Sequence, residues 1–466
     1  MPLDLNRVHM PEQDPAQRRR NFSEVNLGLD AEAARREAAR CLYCKRPTCV
    51  DGCPVHINIP HFLAALRDGD PDASARRIRQ DNSLPAICGR VCPQETQCEL
   101  ACVLNKKGAP IAIGALERFV GDHALRQNLA AERPAAERTE KIAIVGSGPS
   151  GLTCAGELRK LGYQVTVFEA LHALGGVLTY GIPEFRLSKA KVVQPEIETL
   201  RDLGVVFATN AVVGRLATIE ELLNAQGFAA VYIATGAGYP QFMGVPGEDL
   251  NYVYSANEFL TRINLMEAYR WNAAATPVRV GRRVGVVGGG NTALDAARSA
   301  LRLPGVEEVH LIYRRSEQEM PARTEEVKHA REEGIIFRLL TAPVAFTGNE
   351  RGDLAAARCV EMALAEPDAS GRRRPVPKPG SEYLLELDSA VIAIGTQANP
   401  IIAQTTPGLA LTSKGYLQVD EQGRTAMPRV YAGGDIVSGS ATVILAMGAG
   451  RTAAHAMHFD LTGQKL

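Results

Sequence analysis

KIAIVGSGPSG, running from Lys141 to Gly151, is an apolar strand pattern closed by a glycine-rich turn. After it, LTCAGELRKLG has the pattern of a helix and QVTVFEA that of a second strand. Strand, turn, helix and strand make a βαβ unit, whose strands run parallel because the helix carries the chain back. Within the turn, Gly146, Gly148 and Gly151 form GxGxxG. The first glycine permits the tight turn, the second lets backbone approach a pyrophosphate, and the third lets helix pack on strand. Ser150 lies in the same loop, where the helix dipole favours phosphate. Glu169 ends the second strand 18 residues after the last glycine, placed to accept hydrogen bonds from a ribose. A glycine turn in an ordinary α/β core is the plainer reading; the agreement of strand, loop, helix and acid outweighs it.

A second copy begins at Arg283, about 140 residues on: RVGVV, GGGNTA, LDAARSALRLPG, VEEVHLIYRR. This distance suits two dinucleotide-binding domains, not a solenoid. Gly288, Gly290 and Ala293 give GxGxxA, with Gly289, Asn291 and Thr292 completing the loop. Its following strand ends on Tyr313, Arg314 and Arg315, with no acid. A carboxylate there would repel a 2′-phosphate, whereas guanidinium groups can bind one, so the second site reads as NADP-type and the first as FAD-type. Solvated loop charges are the competing reading of the two arginines. Hydride transfer between stacked nicotinamide and isoalloxazine rings needs no acid or base from the protein, and no catalytic side chain is named.

The 466 residues suit about three domains. Lys plus Arg equals Asp plus Glu, which argues against nucleic acid or an anionic membrane as the partner. The N-terminus has no apolar signal region and no stretch reaches the roughly 20 apolar residues of a membrane span, so the cytoplasm is the expected location. Eight of the ten cysteines crowd between Cys41 and Cys102. In a reducing compartment such crowding reads as metal ligation. CLYCKRPTCVDGCP gives C-x2-C-x4-C-x3-C-P with Cys41, Cys44, Cys49 and Cys53; a second run holds Cys88, Cys92, Cys98 and Cys102. The first resembles the bacterial ferredoxin signature with two extra residues, and structural zinc is the alternative. The company of a flavin favours iron and sulfur. The second βαβ unit contains no cysteine and Cys154 stands alone, so no redox-active pair serves the flavin and electrons must leave by another route.

The expected architecture is α/β: an α-helical iron-sulfur domain over 1–138, a Rossmann-like FAD domain over 139–276 and 396–466, and a Rossmann-like NADPH domain over 277–395. A polar tract around Pro134 separates the first two. EPDASGRRRPVPKPGSE reads as a loop, VYAGGD as a strand, and ATVILAMGAGRTAAHAM as an apolar helix.

Over nearly the whole chain these stretches, with GGVLTYGIPEFRL, YRRSEQEMPAR and AGGDIVSGSATVILAMGAGR, resemble the glutamate synthase small-subunit family. Its relatives include the N-terminal half of dihydropyrimidine dehydrogenase and the FAD subunits of sulfide dehydrogenase and NADH-dependent ferredoxin:NADP oxidoreductase. The resemblance implies two 4Fe-4S clusters with crossed ligands: Cys41, Cys44, Cys49 and Cys102 on one, and Cys53, Cys92, Cys98 and Glu117 on the other, leaving Cys88 unliganded. It assigns Gly176, Arg186, Gly434, Asp435 and Thr442 to FAD and places Gly395, ending VIAIG, near the nicotinamide. It further implies a partner redox subunit, either a large glutamate synthase chain or a smaller ferredoxin-reductase-like one, and YSANEFLTRINLM looks more like the second branch. A reading of another class is a nucleotide-sensing protein with structural zinc and no turnover.

Overall fold

The computed structural model describes residues 4–130, 134, 136–271, 273–367 and 371–466. At its centre, Lys141–Val145 lies between Gln164–Phe168 and Ala230–Ile233 in a five-stranded sheet completed by Val206–Ala208 and, from the far end of the chain, Val430–Ala432. All four pairings are parallel. Ile142, Ala143, Ile144 and Val145 are all buried, as a parallel strand covered on both faces requires. The helix Pro149–Lys160 covers one face and is itself covered by the C-terminal helix Val443–Thr462. The two helices touch backbone to backbone at Gly450, where a Cβ would strike the Ser150 carbonyl.

The second sheet orders Val253–Ser255, Ser389–Ile392, Arg283–Val287, Glu308–Tyr313 and Ile336–Leu339, again all parallel. Its first strand precedes residue 277, so the expected domain start at 277 is corrected to about 240. Tyr239–Pro240 and Thr396–Gln397, the outward and return passages between the two units, pair antiparallel. The early part of this unit was invisible because a three-residue strand carries no periodicity; Phe259, Leu260 and Ile263 of the helix Ala256–Asn264 nevertheless share a core with Val284 and Leu294.

EPDASGRRRPVPKPGSE is also corrected. Leu354–Pro367 pairs antiparallel with Arg373–Pro377, making a hairpin arm whose intervening residues 368–370 lie outside the described residues. Pro375 and Pro377 masked the strand, although proline is tolerated at a sheet edge.

The N-terminal domain is helical as expected, with Ala31–Ala39, Ile59–Arg67, Pro71–Asp81, Pro85–Val91 and Ile113–Arg126 as its longer helices. Asp30 and Asp70 cap two of them by accepting from Ala33 and Ala73 N–H. The polar tract after it includes residues 131–133 and 135, outside the described residues. Ahead of the first long helix, one segment joins all three domains. Val25 N–H donates to the Phe185 carbonyl at 2.9 Å, Glu24 pairs with Arg90 and Arg118, and the buried Arg18 pairs with Glu332 and Glu333. Breaking one partner of such a buried pair is costly, because the other charge is left unsatisfied in low dielectric. Among the described residues no helix is long and apolar enough to cross a membrane.

Candidate functional site

In the first glycine loop, Gly148 caps the helix Pro149–Lys160, and a Cβ added there would meet no atom within 4 Å. The helix N-terminus therefore opens onto free space suited to a pyrophosphate. Gly151 sits so close to the Gly146 carbonyl that no larger residue fits. Glu169 is buried, with Oε2 accepting from Ser147 N–H at 2.9 Å and Ser147 Oγ at 2.6 Å, and Oε1 from Leu171 N–H at 2.9 Å. These bonds fix the acid beside the loop. Gly176, at φ +54°, approaches so that its Cβ would lie 2.8 Å from Gly148 Cα, while a Cβ on Gly434 would lie 3.0 Å from Ser150 Cβ. Both segments border the loop. Ser150 itself turns inward, its Oγ 2.7 Å from the Tyr232 hydroxyl, so only its backbone borders the open side.

Asp435 follows Gly434, and burial pushes its carboxyl up to about 6. Its Oδ1 accepts from Ala441 N–H at 3.2 Å, and Thr442 caps the C-terminal helix by accepting from Leu445 N–H at 3.4 Å.

Arg186, assigned to FAD by the family resemblance, is buried against the second nucleotide domain. Its Nη1 lies 2.8 Å from both Asp295 carboxylate oxygens and its Nε 3.0 Å from Glu326. Both acids belong to the second nucleotide domain, so this guanidinium binds the two domains together.

The second loop repeats the geometry of the first. Gly290 caps the helix Asn291–Leu301, with only Pro321 Cγ, at 3.9 Å, near an added Cβ. A Cβ on Gly289 would lie 2.6 Å from the Tyr313 ring, and one on Gly288 would strike the Ala393 carbonyl. Asn291 accepts from Arg323 N–H at 2.9 Å, and Thr292 is exposed at the start of the helix. Gly395, at φ +125°, lies on the return passage, where its carbonyl accepts from Gln241 N–H at 3.1 Å. The two arginines separate. Arg314 is exposed at the strand end, whereas Arg315 is buried with Nε donating to the Arg373 carbonyl at 2.8 Å. Through this bond Arg315 contacts the hairpin arm.

The cysteines form two groups. Cys41, Cys44, Cys49 and Cys102 line one apolar cavity with Leu42, Ile59, Leu63 and Val103. Burial, then the neighbouring Cys102, Cys41 and Cys44 thiolates, pushes the Cys49 thiol up to about 12. In the other group, burial and next the Glu117 carboxylate raise Cys98, while Cys53 is pushed up to about 11 by burial and in part by Glu117 and Cys88. Glu117 is buried, and burial pushes it up to about 8 against the hydrogen bond from Asn82. Cys88 is 0% exposed, with Sγ 3.4 Å from Met447 Sδ of the C-terminal helix.

Among the described residues, Glu12, His329 and Glu332 bring three ligand atoms within 4.8 Å of one another. That trio is an ion-pair network: Arg18 lies 3.2 Å from Glu12 and 2.6 Å from Glu332. Sequence reasoning missed Asn82, Met447 and the docking role of Arg315, since none sits in a recognised motif.

Residues 18–129 match the family described as dihydropyrimidine dehydrogenase domain II, 4Fe-4S cluster. Residues 140–456 match pyridine nucleotide-disulphide oxidoreductase, which also matches 103–227. The glutamate synthase (NADPH) small chain of Halomonas elongata is 37% identical over 458 residues, covering 97% of this chain and 96% of its own. The chain belongs to the glutamate synthase small chain family. The NADP(+)-dependent formate dehydrogenase subunit beta of Moorella thermoacetica is 40% identical over 431 residues, covering 87% of this chain and 59% of its own. The structure of FprA from Mycobacterium tuberculosis in complex with NADPH shares the fold at a TM-score of 0.59 and 23% identity, covering 70% of this chain and 85% of FprA. As a member of the small chain family, the protein is an oxidoreductase: an electron-transfer flavoprotein subunit with a 4Fe-4S domain.

Proposed function

We propose that this subunit carries electrons from NADPH, by way of FAD and two 4Fe-4S clusters, to a partner subunit, most like the small chain of glutamate synthase. When bound, the cofactors supply the hydride and one-electron chemistry. The chain holds and orients them. Glu169 and Asp435 bind ribose and ribityl hydroxyls of FAD, and the backbone at Gly148 receives its pyrophosphate. Gly290 does the same for NADPH, and Arg314 reads its 2′-phosphate. Cys41, Cys44, Cys49 and Cys102 hold the first cluster; Cys53, Cys92, Cys98 and Glu117 hold the second.

The observation that carries this reading is the joining of Cys102, from the second cysteine run, with three cysteines of the first run around one cavity. A crossed set of this kind suits a two-cluster domain better than two independent zinc knuckles. The order of the path is supported by Met447, which touches Cys88 in the second group and sits on the helix that begins at Thr442 beside Asp435. The first group lies nearer the surface. Leu42, Leu100 and Val103 are 45%, 57% and 39% exposed around it, with Lys45, Arg46, Lys106 and Lys107 exposed beside them. An apolar patch with a basic rim suits a redox partner with an acidic face.

Purification from the native host, followed by dye reduction with NADPH, tests the reading. A yellow-brown protein that reduces the dye and brings a second redox subunit with it is expected; a large amidotransferase as that subunit selects glutamate synthase, and a ferredoxin-reductase-like subunit selects the other branch. A colourless, zinc-containing protein without dye reduction would contradict it.

A further inference from the structure

Of the eight ligands proposed above, seven are thiolates and one is the Glu117 carboxylate, and the two kinds pose different geometric problems. A thiolate offers one sulfur. A carboxylate offers two oxygens on a terminal torsion that is broad and weakly staggered, so a ligating carboxylate needs a neighbour to set its rotation.

That neighbour is Asn82. Its Nδ2 donates to Glu117 Oε1 at 2.8 Å, and its Oδ1 accepts from Leu84 N–H at 2.9 Å. Because a backbone N–H can only donate, Oδ1 is fixed as the acceptor and Nδ2 has to face Glu117. Asn82 is 1% exposed, and its backbone N–H donates to the Ile78 carbonyl at 2.9 Å, at the end of the helix Pro71–Asp81. Leu84 immediately precedes the helix Pro85–Val91, which carries Cys88 and ends against Cys92. The Cys88 Sγ lies 3.9 Å from the same Asn82 Oδ1. One side chain thus links the position of Glu117 to the helix that delivers Cys92.

We infer that Asn82 is a positioning residue of the second iron-sulfur centre, its amide aiming the Glu117 carboxylate into the group formed by Cys53, Cys92 and Cys98. The inference rests on the proposed ligation by Glu117. Asn82 is not among the proposed ligands and would act through that carboxylate and through the start of the Cys88 helix.

The test uses the full-length holoprotein, purified anaerobically, with two readouts: the electron paramagnetic resonance spectrum after chemical reduction, and the rate of iron loss to bathophenanthroline. Asn82→Ser keeps an oxygen for Leu84 N–H but is too short to reach Glu117. It is expected to release the iron of the second centre about 10- to 100-fold faster and to change that centre's line shape, with the signal of the first cluster unchanged. Asn82→Asp, which is isosteric and also keeps the acceptor for Leu84, is expected to do the same and serves should the Ser variant not fold. Retained flavin absorbance reports a folded chain. Glu117→Ala separates the two levels of the inference. If it removes the second centre while both Asn82 variants match the parent, Asn82 has no positioning role. If Glu117→Ala keeps all the iron and an unaltered spectrum, the ligand reading fails, and the inference falls with it.

Discussion

Arg314→Glu is expected to raise the Michaelis constant for NADPH about a hundredfold and to leave that for NADH within about twofold. The side chain stands exposed at the end of Glu308–Tyr313, beside a glycine loop whose helix N-terminus is open. A charge-assisted hydrogen bond to a phosphate contributes about 1.5–3 kcal/mol, and reversing the charge adds repulsion. A hundredfold effect corresponds to about 2.7 kcal/mol. NADH lacks the 2′-phosphate and should be indifferent. Steady-state kinetics with both nucleotides checks this, and equal effects on the two would mean that Arg314 does not read the phosphate.

Cys102→Ala has the largest expected effect on the complete reaction. It removes one wall of the four-cysteine cavity, and a cluster that loses a thiolate ligand at the surface is not retained. Iron content falls from about eight to about four atoms per chain, since each cluster of this type holds four. Electron delivery to the partner subunit falls by at least about a hundredfold, as the surface carrier is gone, whereas NADPH-driven dye reduction directly at the flavin persists. Cys88→Ala, by contrast, keeps about eight iron atoms. Iron analysis and paired assays with dye and with partner decide both variants. Full delivery by Cys102→Ala would rule out the proposed exit.

Much of this arrangement was legible in the chain alone because the two βαβ units advertise themselves. An apolar run followed by glycines at fixed spacing has few alternative structures, and both loops have the open helix N-termini that their fingerprints imply. The cysteine grouping was only partly legible. Spacing collected the cysteines into two runs, but exchange of Cys53 and Cys102 between the groups depends on how helices fold back, which no local pattern records. Arg186 illustrates the limit most plainly. Its stretch gave no sign of the ion pairs with Asp295 and Glu326, whose positions depend on the packing of a domain more than 100 residues further along. The strand Val253–Ser255 and the proline-bearing strand Arg373–Pro377 escaped for the opposite reason, being too short or too polar to carry a period of two. Asn82 carried no signal either, because a buried asparagine between two helices reads as a turn residue until its partners are seen.

The central claim, that two iron-sulfur clusters lie between a flavin and the surface of this chain, meets its most direct test in the composition of the anaerobically purified protein. Iron, zinc and acid-labile sulfide are measured against bound FAD. About eight iron and eight sulfide per FAD are expected, with no stoichiometric zinc. Zinc in place of iron, with no labile sulfide, would contradict it.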